Sequence, residues 1–388
     1  MLPLLVAGAL LAFGVVVLSF HGAALYFAAR MPRLDPEPSG DERALPTVTA
    51  IVAARNEEED LPGCLDDLAA QRYPNLGIVV VDGASTDGTR EAVKARSDRV
   101  RLLDEPPLPS GWVGKNWALH EGARESSSEW ILFTDADVRY DPRAVASTVR
   151  WAMREGADLA SLAPRVAMRG FWENLILPFY VQMVLTYFRA PRVNRDRSRA
   201  AMANGQYLLV RRSAYDAIGG HAAVRTAVLE DVALARRFRA RGFRLRIGWS
   251  PGLITTRMYR SRPEMFEGLL KNVHDERFSA ARQLGFLAAL VALFWAPFAI
   301  LPIGVAGGSL PVALFGAFVA GALLAKHVVF TRAVRGRAVY GLLFPLAVGY
   351  YLVVVATSLS RGLRRRPIVW KGREYALETD RGRAPRHH

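Results

Sequence analysis

Asp135 and Asp137 stand one residue apart at the end of an apolar run, Trp130-Ile131-Leu132-Phe133-Thr134. A buried strand that delivers two carboxylates to its C-terminal edge can hold a divalent cation. Hard cations such as Mg2+ and Mn2+ take oxygen ligands, and Mg2+ usually shares them with substrate phosphates. In open α/β sheets that edge is where ligands bind. Asp-x-Asp is also common in turns and caps, but the next helix has its own start signal in Asp141-Pro142, an N-cap followed by proline at the first helical position. Asp135 and Asp137 are thereby released from capping, and the pattern points to metal-assisted chemistry on a nucleotide diphosphate.

Four other segments supply the parts such chemistry needs. The run Val52-Ala53-Ala54 ends in Arg55-Asn56-Glu57-Glu58-Glu59-Asp60, and four carboxylates exceed what one helix start requires. Asp82 stands where Val79-Val80-Val81 meets its loop, suited to a ring N–H of a base or a ribose hydroxyl, whereas Ser85, Thr86 and Asp87 read as caps of the following helix. Lys115 follows Gly111 and Gly114 at a helix start, where an ammonium and backbone N–H groups suit a diphosphate. The spacing is not that of a Walker A loop, and a solvated lysine is the equal alternative. Asp231 shares a helix face with Leu234, Ala235 and Phe238, and a carboxylate heading an inward face can act as a general base with a tuned pKa. Glu230 beside it reads as a first-turn carboxylate that complements the helix dipole.

The elements that must position these residues alternate along the chain. Val48–Ala53, Gly77–Val81, Val100–Asp104, Trp130–Thr134 and Leu159–Ala163 are predicted strands. Leu61–Gln71, Gly88–Ala95, Lys115–Glu125 and Pro142–Arg154 are predicted helices, so a largely parallel sheet covered on both faces is expected. Of the 388 residues 51% are hydrophobic while 22% are charged, a mixture expected of a polar domain joined to membrane spans. Residues 2–29 carry no charged side chain and are followed by Arg30 and Arg33, the charge order of an uncleaved anchor rather than a signal peptide. Residues 31–45 read as a linker, 46–250 as the α/β domain and 251–283 as a membrane-interface segment; 284–360 read as a C-terminal membrane region and 361–388 as a basic tail. Phe171–Phe188, with Pro178 at its middle, is read as an interfacial or acceptor-lining helix.

The net charge of +15 gathers in arginine clusters near the apolar runs, which favours anionic lipid over nucleic acid as its partner. Cys64 is the sole cysteine, so no intrachain disulfide forms. The runs Leu284–Ala306, Leu310–Ala325 and Val339–Leu359 raise a parity problem. Three full crossings from a cytoplasmic domain would export the tail, yet Arg361, Arg364, Arg365 and Arg366 favour the cytoplasm. A cytoplasmic tail is expected, with a re-entrant hairpin in the first pair of runs, rich in Pro and Gly, as one way to reconcile the two.

In this order and spacing the motifs resemble inverting family 2 glycosyltransferases of the GT-A fold. The likeness rests on Arg55-Asn56-Glu57, Asp82 with Ser85-Thr86-Asp87, Gly114-Lys115 with Ala118-Leu119, Asp135-x-Asp137, Asn204-Gly205-Gln206 and Glu230-Asp231. It implies a Rossmann-like, mostly parallel cytoplasmic domain in the cell membrane, with one N-terminal and about three C-terminal membrane segments. It implies that Glu57 and Asp82 contact the nucleotide and that Lys115 supports the donor phosphates. Asp135 would lie near ribose, sugar or metal, and Asp137 would ligate Mg2+ or Mn2+. Gly205 would approach the sugar, and Asp231 would deprotonate the acceptor. Two departures matter: Asp82-Gly83-Ala84-Ser85 lacks the second carboxylate of the common Asp-Asp-Gly-Ser, and no Gln-x-x-Arg-Trp follows Asp231, which disfavours a processive polysaccharide synthase. Gly111-Trp112-x-Gly114-Lys115-x-Trp117-Ala118-Leu119 and Trp370-Lys371-Gly372-Arg373 are similar to the branch that includes hopanoid-associated and carotenoid-acid glycosyltransferases. The expected activity is transfer of a sugar from a nucleotide-diphosphate sugar, a UDP-sugar by preference, to a lipid acceptor. The alternatives are the polysaccharide synthase and a non-catalytic membrane scaffold that retains the fold.

Overall fold

The computed structural model describes residues 2–38, 40–273, 279–364, 368–370 and 373–375. In chain order its elements begin α1 (Leu2–Ala29), β1 (Val48–Ala54), α2 (Leu61–Ala69), β2 (Leu76–Asp82), α3 (Thr89–Lys94), β3 (Arg101–Asp104) and α4 (Gly114–Arg124). There follow β4 (Trp130–Thr134), β5 (Val138–Tyr140), α5 (Ala144–Arg154), β6 (Leu159–Ala163), β7 (Arg165–Val166), α6 (Phe171–Tyr187), β8 (Leu208–Arg211), α7 (Arg212–Ala217) and α8 (Glu230–Ala240). The chain continues with β9 (Leu245–Trp249), β10 (Ile254–Thr256), α9 (Arg262–Val273), α10 (Ala280–Leu290), α11 (Ile300–Ala306), α12 (Leu310–Ala333), α13 (Phe344–Leu363), β11 (Ile368–Trp370) and β12 (Arg373–Tyr375). It divides into two compact units, one of Arg30–Ala167 and Tyr187–Met258, the other of Met1–Ala29, Met168–Thr186 and Tyr259–His388.

The first unit is a seven-stranded sheet in the order β3-β2-β1-β4-β8-β6-β9, flanked by α2–α5, α7 and α8. β1 to β4 are mutually parallel, and β1 and β4 are almost wholly buried, as continuous apolar strands covered on both faces must be. The expectation of a mostly parallel sheet holds, with β8 running antiparallel between β4 and β6. Strand order reverses between β1 and β4, so a crevice opens at their carboxyl ends, where Arg55-Asn56-Glu57 and Asp135-Ala136-Asp137 follow. α4 lies close against the sheet because Gly122 has no side chain: a Cβ there would come within 2.5 Å of Ile51 Cγ2. A second, three-stranded sheet, β5-β10-β7, begins directly after Asp137 with β5.

One local expectation changes. α5 starts at Ala144 rather than Pro142, with Arg143 at its N-cap position. Asp141 still commits its carboxylate there, accepting from Arg143 N at 3.0 Å and pairing with the Arg143 guanidinium at 2.9 Å.

Among the described residues the second unit carries four helical segments long and apolar enough to cross a membrane: Gly8–Ala29, Ala280–Ala306, Leu310–Ala333 and Ala338–Leu363. Ala280–Ala306 is interrupted by a π turn at Val291–Trp295 and a 3-10 turn containing Pro297, which breaks the regular ladder. α11 and α12 form a close hairpin through Gly304 and Gly316, whose missing side chains admit the partner backbone. α1 runs parallel to α12, with Gly14 against Phe315 and His21 bonded to Lys326 at 3.2 Å. α13 runs antiparallel to α10, since Gln283 bonds Ser358 at 3.1 Å while the rings of Phe294 and Phe344 lie 6.2 Å apart. Consecutive helices α12 and α13 therefore point the same way, and the chain between them doubles back, with Gly341 against Val328 and Phe344 beside His327. A close hairpin thus forms in the first pair of apolar runs, and a second doubling back falls between the last two. The end of α13 lies beside the start of α10.

The Phe171–Phe188 segment is a helix, α6, that buries Glu173, Asn174 and Gln182. Gln182 Oε1 accepts from the buried Lys326 ammonium, and His21, which bonds the Leu293 carbonyl at 3.1 Å, supplies a second partner. Such a polar knot among apolar helices ties α1, α6 and α12 together. Of the Trp370-Lys371-Gly372-Arg373 motif, Lys371 and Gly372 lie outside the described residues.

Candidate active site

The carboxyl ends of β1, β2 and β4 are brought level by their pairing: Ala54 stands opposite Asp82, and Val52 opposite Thr134. The turn after β1 takes a left-handed backbone at Asn56 (φ 53°), a conformation asparagine tolerates. There Asn56 Oδ1 accepts from Thr86 N at 2.9 Å and Glu57 N donates to Thr89 Oγ1 at 2.8 Å, which fixes the two loops against each other. Asp82 is fully buried and pairs with Arg90 at 2.9 Å; Arg90 also bridges to Asp104. Ala84 is left-handed as well (φ 59°), a strained state for alanine, directly after the Asp82-Gly83 corner. Asp87 serves the first turn of α3 as expected, its Oδ1 accepting from Thr89 N at 3.1 Å.

Asp137 follows β4 and is held by a relay that the sequence does not disclose. Thr256 Oγ1 donates to Asp137 Oδ2 at 2.7 Å, and Gln206 Nε2 donates to Thr256 at 3.1 Å. Asn204 Nδ2 in turn reaches Gln206 Oε1 at 3.3 Å. The other carboxylate oxygen, Asp137 Oδ1, is buried without a hydrogen-bond partner. Burial, the neighbouring Asp135 and the nearby Glu57 and Asp60 raise the Asp137 carboxyl to about 7, with Thr256 opposing the shift. An orphaned carboxylate oxygen beside a second carboxylate fits a hard divalent cation. Among the described residues no cluster of three or more His, Cys, Asp or Glu gathers to enclose a metal. A cation there would be held by Asp135 and Asp137 and would share oxygens of a substrate phosphate, the usual arrangement for Mg2+.

Lys115 is held between two carboxylates rather than left free in solvent. Its Nζ lies 2.6 Å from Asp135 Oδ1 and 2.7 Å from Glu230 Oε1. Burial works against the ammonium, but the two carboxylates outweigh it and hold its pKa well above the usual lysine range. Asn116 explains how the N-terminus of α4 meets α8: its Nδ2 donates to the carbonyls of Val224 and Ala227 at 2.9 Å, pinning the loop that leads into Glu230. Glu230, read from sequence as a dipole complement, is buried and faces Lys115 instead. Lysine and glutamate lie 115 positions apart in the chain, and nothing in their local patterns announces the pairing.

Asp231 stands next to this cluster. Its Oδ2 accepts from Gly205 N and its Oδ1 from Val232 N, each at 2.7 Å. Burial and the Glu230 charge raise its carboxyl to about 6, against the pull of Lys115. Gly205 is a spacer in the literal sense, since a Cβ there would lie 3.2 Å from both Glu230 Oε1 and Lys115 Nζ and 3.4 Å from Asp231 Oδ2. We expect Gly205→Ala to lower turnover about ten- to hundredfold by displacing these groups a few tenths of an ångström, with little change in melting temperature. Steady-state kinetics beside thermal unfolding check this.

Lys115, Asp135, Gly205, Glu230 and Asp231 thus form one constellation, with Asp137 on the loop that holds Asp135. Glu57 and Asp82 occupy adjacent strand ends. An ammonium, a pair of metal-competent carboxylates and a carboxyl titrating near neutrality can together stabilise a departing diphosphate and accept a proton.

Residues 49–219 match the model for glycosyl transferase family 2. Relatives similar to the chain include the 4,4'-diaponeurosporenoate glycosyltransferases of Staphylococcus haemolyticus, 24% identical over 58% of this chain and 61% of that one, and of Staphylococcus aureus, 25% identical over 63% and 64%. The chain spans a little under two thirds of the length of these curated relatives. In structure it is similar to a mannosyltransferase of Pyrobaculum calidifontis solved in complex with GDP-mannose and Mn2+. The TM-score is 0.55 at 21% identity, over 90% of this chain and 99% of that one, a likeness of fold.

Proposed function

We propose that this chain is an inverting glycosyltransferase that moves one sugar from a nucleotide-diphosphate sugar, a UDP-sugar by preference, to a lipid acceptor of terpenoid type. The observation that carries the reading is the convergence of Lys115, Asp135 and Glu230 beside Asp231 at the carboxyl edge of the sheet. Glu57 and Asp82 face the nucleotide in this reading. Asp137 and Asp135 would hold Mg2+ or Mn2+, and the ion would supply positive charge to the diphosphate. Lys115 adds a second positive group to the same oxygens, and Gly205 leaves room for the sugar. Asp231 takes the proton of an acceptor hydroxyl as that oxygen attacks the anomeric carbon from the face opposite the leaving group. A carboxyl acceptor is already ionised and needs the base less. The names of the staphylococcal relatives specify a carotenoid-type acid, which supports an apolar acceptor that ends in an oxygen nucleophile.

The same reading places the domain and the tail on the cytoplasmic face of the cell membrane, with anionic lipid against the arginine-rich segments. Helix directions support it, because α13 ends beside the start of α10. Cys64 is buried, so single cysteines can be introduced and labelled. We expect Ser279→Cys and Arg364→Cys to react with an impermeant maleimide only from the cytoplasmic side, and Ser309→Cys only from the other. Labelling of Arg364→Cys from the outside contradicts the topology.

The functional test compares lipid extracts of cells with and without the chain by mass spectrometry. A lipid that gains the mass of one glycosyl residue only when the chain is present supports the proposal, and a ladder of products on one acceptor favours a polymerase instead.

A further inference from the structure

Glu230 has no task in the mechanism above, yet it is one of the most buried acids in its unit, with 6% of its surface exposed. It opens α8, but its side chain does not turn back to cap that helix; it reaches Lys115 Nζ at 2.7 Å. Lys115 already has a partner in Asp135 at 2.6 Å. One ammonium thus sits between two carboxylates, and one of these is an acid that the proposed function assigns to the metal. A dication arriving at Asp135 must displace the ammonium from it, and an ammonium with nowhere to go would oppose that arrival by like-charge repulsion. Glu230 gives it somewhere to go. The absent side chain of Gly205 keeps the space beside both groups clear.

We propose that Glu230 is a positioning residue that parks the Lys115 ammonium, so that Asp135 can exchange it for a divalent cation before Lys115 is delivered to the donor's diphosphate. The inference rests on the proposed function, since it presupposes a metal on Asp135 and Asp137. It makes the linkage between Lys115 and Glu230, rather than either residue alone, the determinant of metal affinity in the absence of nucleotide.

The test is a double-mutant cycle on the full chain in lipid nanodiscs, read by Mn2+ calorimetry without nucleotide. Glu230→Gln is expected to weaken Mn2+ binding about tenfold and Lys115→Ala to strengthen it. In the Lys115→Ala background, Glu230→Gln is expected to change Mn2+ affinity by about threefold or less, because there is no ammonium left to park. Saturating UDP is expected to shrink the Glu230→Gln penalty, since the diphosphate then takes Lys115. Glu230→Asp, which keeps the charge, is expected to recover most of the affinity and serves if the glutamine variant is unstable. An equal loss of affinity in both backgrounds, or none in either, overturns the parking role while leaving the proposed function standing. Failure of the wild-type chain to bind Mn2+ without nucleotide overturns this inference, and failure to bind it with saturating UDP as well overturns the metal role in the proposed function.

Discussion

Asp137→Ala is expected to lower sugar transfer at least about a thousandfold, the loss that corresponds to removing the several kcal/mol a metal contributes to a departing oxyanion. Asp137 Oδ1 is buried without a hydrogen-bond partner, and Oδ2 is oriented by Thr256, so the carboxylate is presented in one fixed geometry that alanine cannot reproduce. The fold should tolerate the change. A buried carboxyl raised to about 7 by burial and Asp135 is an electrostatic burden in the metal-free chain, and its removal relieves it. Unfolding of the metal-free variant should therefore occur at or slightly above the wild-type temperature, while Mn2+-dependent nucleotide binding disappears in calorimetry. The same raised pKa gives a sign for pH. Protons and the metal compete for Asp137, so Mn2+ affinity should fall steadily as pH drops below about 7. A pH-independent Mn2+ affinity between 5 and 8 would place the metal elsewhere.

Asp231→Asn is expected to slow transfer to a hydroxyl acceptor by about 10²–10⁴, the usual contribution of a positioned general base. Donor binding should change far less, because Asp231 is not among the carboxylates assigned to the metal or the nucleotide. With a carboxyl acceptor the loss should be far smaller. That contrast makes the variant a reporter of acceptor chemistry as well as of the base. In the wild type the base must be ionised, and its carboxyl is raised to about 6 by burial and Glu230. Hydroxyl transfer should therefore rise about tenfold per pH unit below 6 and level off above it, at saturating metal. Asn at 231 should flatten that limb.

Much of this site can be read from residue order, for a physical reason. β4, the strand that ends in Asp135-Ala136-Asp137, is a continuous apolar run, and so is most of β2, which ends at Asp82; such runs have few alternatives to a buried strand. β4 spans Trp130–Thr134 as expected from its pattern, and Lys115 does open a helix. What the order cannot convey is long-range pairing. Glu230 has the local signature of a helix-start acid, and it is the Asn116 and Val113 bonds to the 224–227 loop that bring it to Lys115. Thr256 lies in a three-residue strand with no periodicity to read, although it orients the metal-competent carboxylate. Asp141 shows the opposite case. Its pattern names a cap correctly in kind, but the helix starts at Ala144 because Asp141 closes its turn on Arg143 and Ala144 first. The C-terminal apolar runs are legible in composition and not in direction. The doubling back at Gly341 depends on a close approach to Val328 that no hydropathy profile records.

The most direct test of the central claim is a coupled measurement on the purified full chain in lipid nanodiscs: UDP released from a panel of UDP-sugars, and sugar gained by a terpenoid lipid bearing a hydroxyl or carboxyl end. The account predicts that, with one sugar of the panel, Mn2+-dependent UDP release and glycolipid formation proceed one to one, and that both vanish in Asp137→Ala. Glycolipid formation that persists in Asp137→Ala, or that proceeds undiminished in a chelator, would contradict it.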